Sequence, residues 1–177
     1  MAKQQWMADA AHSELGFKIR HLMITNINGK FNGFTVDADT DEEDFMTAKV
    51  KASVDVDTIS TGNDDRDKHL RSPDFFDVNK YRYITFVTTK YENVDNDGSY
   101  ALYGDLTIRD VTKNIKLDVE FGGVVKDPWG NTKAGFTING KINRKDFGLN
   151  WNAVTEAGGI MVSDEVKINC EVQLIKK

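Results

Sequence analysis

The chain has a single cysteine, Cys170, so no intrachain disulfide can form. It has two prolines in 177 residues. Sparse proline leaves strands long, because proline cannot donate to a sheet ladder. No apolar run approaches the ~20 residues that a membrane-crossing helix needs. No apolar run follows Lys3 either, so no secretory leader is visible. A cytoplasmic chain is therefore expected, with a periplasmic one the alternative for a processed or trimmed form. Cations are outnumbered, 23 Lys and Arg against 28 Asp and Glu, for a net charge of −5. That balance argues against a general nucleic-acid binder, which needs a basic surface. It argues equally against a purely electrostatic binder of membranes.

Chemistry-bearing motifs are also scarce. There is no G-x-S-x-G elbow, so His12-Ser13 reads as strand entry and not as hydrolase machinery. There is no phosphate-cradling P-loop and no HxxxH spacing. His69 lies near Asp64, Asp65 and Asp67, but that grouping reads as an acid-rich helix start, and no metal is expected. The acidic run Asp37 to Asp44 lacks the glycine and glutamate of a calcium loop and reads as a solvated loop. Cys170 falls on an apolar strand face, where a thiol behaves as a small hydrophobe. No cofactor is expected.

What the chain does have is alternation. Apolar residues take every second place in Leu15–Arg20, Lys49–Asp57, Ile115–Phe121 and Val166–Leu174. Successive strand side chains point to opposite faces, so each segment has one dry face and belongs to an antiparallel sheet covered on one side. Asn28-Gly29, Asn32-Gly33, Asn96-Asp97-Gly98, Gly122-Gly123, Asn139-Gly140 and Gly158-Gly159 mark turns, or bulges where they interrupt a strand. One segment departs from this pattern. Thr61 or Asn63 caps a short helix near residues 63–72, whose acids sit at its start and whose bases sit at its end, and Ser72-Pro73 stops it. The irregular stretch His21 to Asn28 suggests one further helical turn. No linker or repeat interrupts residues 1–177, which read as a single domain.

Strands with one dry face must close into a barrel or pair as a sandwich, and periodicity satisfies both. The inward set is large and apolar: Phe17, Ile19, Phe86, Leu102, Leu106, Ile108, Leu117, with Phe121, Phe136, Ile138, Ile142, Ile168 and Leu174. His21 is the one ionisable residue that continues such a face. These residues fill a solid core or line a tube that suits a hydrocarbon chain.

Several blocks identify a resemblance. They are Asp9–Leu22 with Gly29-Lys30-Phe31 and Phe34; Ile59–Gly62 with Arg66–Asp77; and Tyr81 with Ile84-Thr85-Phe86. They continue through Gly104–Lys113, Asp127-Pro128-Trp129-Gly130, Gly135-Phe136 and Arg144–Gly148. In this order they resemble the YceI-like family over nearly the whole chain. The resemblance implies an all-β, extended antiparallel lipocalin-like barrel of about eight strands. It also implies binding of a polyisoprenoid, an isoprenoid quinone or a fatty acyl species for carriage or storage, with a homodimer as one assembly and no stable membrane insertion. The ligand-binding residues expected are Phe17, Ile19, His21, Leu22, Phe31 and Phe34; Arg66, His69, Leu70, Phe75 and Phe76 around the helix; and Phe86, Leu106, Ile108, Phe121, Phe136 and Ile142. Arg66, His69 and His21 are the candidates for a polar head group, unless Arg66 pairs with Asp67 or Asp110. Two rivals remain: an enzyme on a lipid-like substrate using His21 or His69 as acid or base, and a stress-related interaction protein with a solid barrel.

Overall fold

A computed structural model of the chain describes residues 2–93, 98–152 and 162–177. The strands are β1 (Lys3–Ala8), β2 (Glu14–His21), β3 (Thr25–Phe31), β4 (Phe34–Asp41), β5 (Asp44–Asp55) and β6 (Ile59–Ser60). The helix α1 (Asp64–Arg71) follows, then β7 (Tyr83–Asn93), β8 (Ser99–Ile108), β9 (Val111–Lys126), β10 (Thr132–Asn143) and β11 (Val162–Lys176). The ring runs β1-β4-β5-β7-β8-β9-β10-β11 and closes where β1 pairs with β11, so eight strands form a barrel. All of these pairings are antiparallel. Closure removes the sheet edges that the alternating pattern would otherwise expose.

Strand β11 pairs with β10 along one edge and shares its other edge between two partners. Its C-terminal end pairs with β1, Ala8 opposite Leu174, and the rest pairs with β2, from Glu14 opposite Glu171 to Ile19 opposite Val166. The strands β2, β3 and β6 therefore form an arm that extends the barrel at one end. Three-residue 3-10 turns at Ala10–His12 and Val56–Thr58 mark where β1 gives way to β2 and β5 to β6.

Helix α1 begins as its sequence requires. Asn63 is the N-cap, its side chain accepting from Arg66 N at 3.0 Å, and three acids occupy the first turn. Other local expectations are corrected. Residues 21–28 hold no helical turn: β2 and β3 form a hairpin whose turn spans residues 22–24, with Leu22 and Met23 at φ of 52° and 61°. The acidic run is not a loop but most of β4 and its turn into β5. Asp37 and Asp39 are exposed while Val36, Ala38 and Thr40 are buried, and small inward residues hid the period. Asn28-Gly29 lies inside β3, not in a turn. A Cβ on Gly29 would stand 2.2 Å from the Phe17 ring, so glycine there admits an aromatic ring against the backbone. Asn96-Asp97 and Gly158-Gly159 lie outside the described residues.

The largest fully buried side chain lies on β1. Trp6 is fully buried, its ring 4.9 Å from that of Phe45, and its Nε1 donates to Thr40 Oγ1 at 3.0 Å. Thr40 in turn donates to the Glu42 carbonyl at 2.6 Å. Phe45, Phe121 and Phe136 meet at ring distances of 5.0 to 5.4 Å. These rings meet tilted or edge-on between β5, β9 and β10 and fill that end of the barrel.

Candidate functional site

Inside the barrel lies a cavity of about 240 Å³. It is at the small end for ligand sites, which run to roughly 300–1,000 Å³. Nearly every strand contributes. β5 supplies Phe45, Ala48, Val50, Ala52 and Val54; β11 supplies Val166, Ile168, Cys170, Val172 and Leu174. Along β11, and along β5 from Ala48 onward, these are alternate residues, whereas Phe45 falls at the register shift between Asp39 and Asp41; the dry faces read from the sequence converge and leave a space between them.

The lining carries no charged side chain among the described residues. Its side-chain hydrogen-bonding groups are Thr85, Tyr91, Tyr100 and Cys170. Burial pushes the Tyr91 hydroxyl up to about 12, and the same group donates to the Ala48 carbonyl at 2.8 Å. Burial raises Tyr100 as well. It pushes the Cys170 thiol up to about 11, so the sulfur stays protonated at neutral pH and is no nucleophile. The lumen is thus neutral over the ordinary pH range.

Burial changes along the lining. On β11, Val172 and Leu174 are buried, whereas Cys170, Ile168 and Val166 are only half-buried. On β10, Phe136 is buried, and Ile138 and Ile142 are half-buried. All the β2 and β3 contributors, Leu15, Gly16, Phe17 and Phe31, are half-buried too. The lumen therefore opens beneath the β2–β3 arm and is shut at the Trp6 end.

Of the expected ligand-binding residues, Phe17, Phe31, Phe86, Leu106, Ile108, Phe136 and Ile142 line this cavity, as do Leu102, Leu117, Ile138, Ile168 and Leu174 of the wider inward set. Phe121 instead packs behind it, 5.4 Å from Phe45. Phe34 packs against the core without reaching the cavity. Ile19 pairs with Ile27 beyond the lining, and His21 and Leu22 sit at the hairpin end. Phe76 is outside the lining and meets Phe31, which belongs to it, at a ring distance of 6.3 Å. Leu70 is half-buried on α1 and outside the lining.

Two of the three head-group candidates, Arg66 and His69, are engaged with neighbouring residues. Arg66 donates from Nε to Thr61 Oγ1 and from Nη2 to the Thr61 carbonyl, both at 2.7 Å, so it holds a loop and not Asp67 or Asp110. Asp67 is buried and accepts from Thr61 N at 2.9 Å. The His69 ring stands edge-on to Phe75 and Trp151 at 5.2 and 4.8 Å, with Nε2 2.9 Å from Asp74 Oδ2. Phe75 is buried in that cluster. His12 contacts Asp9 at 2.8 Å, while Ser13 bonds the Gln173 backbone. No group of three or more metal-ligating side chains occurs among the described residues.

Sequence reasoning overlooked Phe45, Tyr91 and Tyr100. Tyr100 continues the Leu102, Leu106 alternation and was readable. Tyr91 was not, because a register shift between Thr88 and Lys90 turns an outward phase inward. Arg144 opens the Arg144–Gly148 block, and it is a buried clamp. It donates to the carbonyls of Leu149, Trp151 and Ser163 at 2.6, 2.7 and 2.9 Å.

Comparison with known proteins places this architecture. The model of the YceI-like domain matches residues 6–174. A UPF0312 protein of Staphylococcus aureus (strain MSSA476) is 39% identical over 166 residues, covering 93% of this chain and 94% of that protein. A YceI protein of Campylobacter jejuni superposes with a TM-score of 0.76 at 38% identity, covering 96% of each chain. BcnA of Burkholderia cenocepacia shares the fold at a TM-score of 0.80 and 20% identity, over 94% of this chain and 98% of its own. A polyisoprenoid binding domain from Saccharophagus degradans does so at 0.67 and 15%, over 97% and 98%. The match of nearly the whole chain, together with the closed barrel and its lumen, makes this protein a member of the YceI-like family.

Proposed function

We propose that the chain binds one long, uncharged hydrocarbon in the lumen, such as a polyisoprenoid, the tail of an isoprenoid quinone or a fatty acyl chain, for carriage or storage. The observation that carries this is the absence of charge from the lining described above. Each buried methylene contributes about 0.8 kcal/mol, so a single five-carbon unit gains about 4 kcal/mol before ordering costs. A carboxylate or phosphate inside would lose its water with no cation to replace it. Any ionised head must therefore stay at the arm end. The polyisoprenoid binding domain that shares this fold supports the same ligand class.

Two other readings have less behind them. An enzyme would need His21 or His69 at the ligand, but neither lines the lumen. A solid barrel would leave no cavity.

The test uses Ala52, half-buried in the wall. Ala52→Phe fills the tube with a side chain of the same apolar character. Incubation with a polyprenol followed by native mass spectrometry should give a one-to-one adduct for the parent chain and none for a folded Ala52→Phe variant. Equal uptake by both would remove the lumen from the reading.

A further inference from the structure

The hairpin that ends the arm has a composition unlike a solvated turn. His21 pairs with Thr25, and the three residues between are Leu22, Met23 and Ile24. They are 39%, 47% and 77% exposed. Ile24 N donates to the His21 carbonyl at 3.2 Å, and both central residues have positive φ. Asn-Gly adopts that turn without strain, whereas leucine and methionine do not. Arg20 holds the tip by donating from Nη1 to the Met23 carbonyl at 3.0 Å. Large apolar side chains are thus kept in water, in a costly backbone conformation, on the arm that overhangs the lumen mouth.

The outer face of the same wall carries the second observation. Lys141 on β10 stands opposite Lys167 on β11, which stands opposite Lys18 on β2. Like charges in cross-strand register weaken a sheet. The ion pairs of the described residues engage other cations and leave these three without a carboxylate partner. Arg20 on β2 and Lys30 on the adjoining β3 are also exposed, and Glu165 is the acid beside Lys167. In a chain of net charge −5, this basic row marks one face for an anionic partner.

We propose that this end docks on an anionic lipid bilayer: the Leu22–Met23–Ile24 tip enters the acyl boundary, the Lys18, Lys141 and Lys167 row lies over the head groups, and the lumen mouth faces the membrane. The net charge excludes docking by electrostatics alone; here local charge orients an apolar anchor. The proposal deepens the lumen reading, because the half-buried lining of β2, β3, β10 and β11 opens at the arm that carries the tip. A hydrocarbon would pass between bilayer and barrel with little exposure to water. At the closed end Trp129 is more exposed still, at 83%, and provides an internal control.

The test is flotation of the purified, cargo-free chain with vesicles of phosphatidylcholine alone or mixed with phosphatidylglycerol. Binding should favour the mixed vesicles. Ile24→Ser should weaken it about thirtyfold, and each of Lys18→Gln, Lys141→Gln and Lys167→Gln about fivefold. Trp129→Ser should leave it unchanged. These positions are at the surface, and a circular dichroism spectrum matching the parent confirms that each variant is folded. Failure to float, indifference to Ile24→Ser, or loss with Trp129→Ser would overturn the proposal. Self-association that sedimentation velocity shows to depend on Ile24 would assign the tip to a second copy instead. A chain that loads polyprenol but ignores vesicles refutes the docking alone, and one that floats but never loads refutes the lumen reading alone.

Discussion

The two ends of the barrel are built on opposite principles. Around Trp6, aromatic rings meet across the axis and the indole N–H is satisfied by Thr40. Lys133, also at this end, sits 3.0 Å from Asp9 and 3.6 Å from Asp127, stapling the β9–β10 turn to the start of the chain. Under the arm, the lining is half-buried and the exposed tip is apolar. The difference teaches that apolar residues alone do not make a core. The same residue classes form a plug where aromatic rings fill the section and a lumen where Ala48, Val50, Ala52 and Ile168 do not.

Four changes would break or sharpen this contrast. Trp6→Ala removes the most enclosed side chain of the plug and should cost about 4 kcal/mol. Denaturant unfolding checks this, and a cost near zero would mean that the plug carries no stability. Arg144→Met should cost about 3 kcal/mol, because it strands buried carbonyls without a donor. Its effect should fall on the arm side, since its partners, the Leu149 and Trp151 carbonyls and Ser163, flank the start of β11. Hydrogen exchange at β11 residues 163–168, compared with residues 172–176, locates the effect.

Acid should act on the closed end. The hydrogen bond from His12, followed by that from Lys133, holds Asp9 below the ordinary carboxylate value of 3.8. A depressed native value stabilises the fold at pH above the unfolded value, and that contribution is lost as pH falls through the native one. Melting temperature should therefore drop below about pH 4, and Asp9→Asn should flatten the drop. An identical acid slope in that variant would contradict the stapling. The smallest effect belongs to the lumen wall. Ala52→Phe should change stability by less than about 1.5 kcal/mol, because the added ring enters existing space. A larger loss would mean that the wall is already packed.

Much of this was legible in the residues. The alternations at Leu15–Arg20 and Val166–Leu174 gave β2 and β11 with the correct faces, and Asn63 with its acids gave α1. Where reading failed, a second influence had overridden the period. Alanine and threonine occupied the inward places of β4, so its aspartates dominated the pattern. A register shift in β7 rotated Tyr91 into the lumen. The hairpin at Leu22-Met23 lacks the glycine or asparagine that announces such a turn, so its irregular pattern suggests a helical turn instead. The engagement of Arg66 and His69 was hidden for a different reason. Arg66 and His69 are suited to ligand contact by chemistry, but Thr61 and the Phe75–Trp151 pair satisfy them first, and no periodicity encodes that.

The most direct measurement is intermolecular NMR contact between an added polyprenol and methyl-labelled protein. A hydrocarbon held in the lumen should show contacts to the methyls of Ile138, Ile168 and Val172, with none to Val125 on the outer surface. Contacts confined to Val125 and Met7, or no contacts at saturating polyprenol, would contradict a lumen-bound ligand.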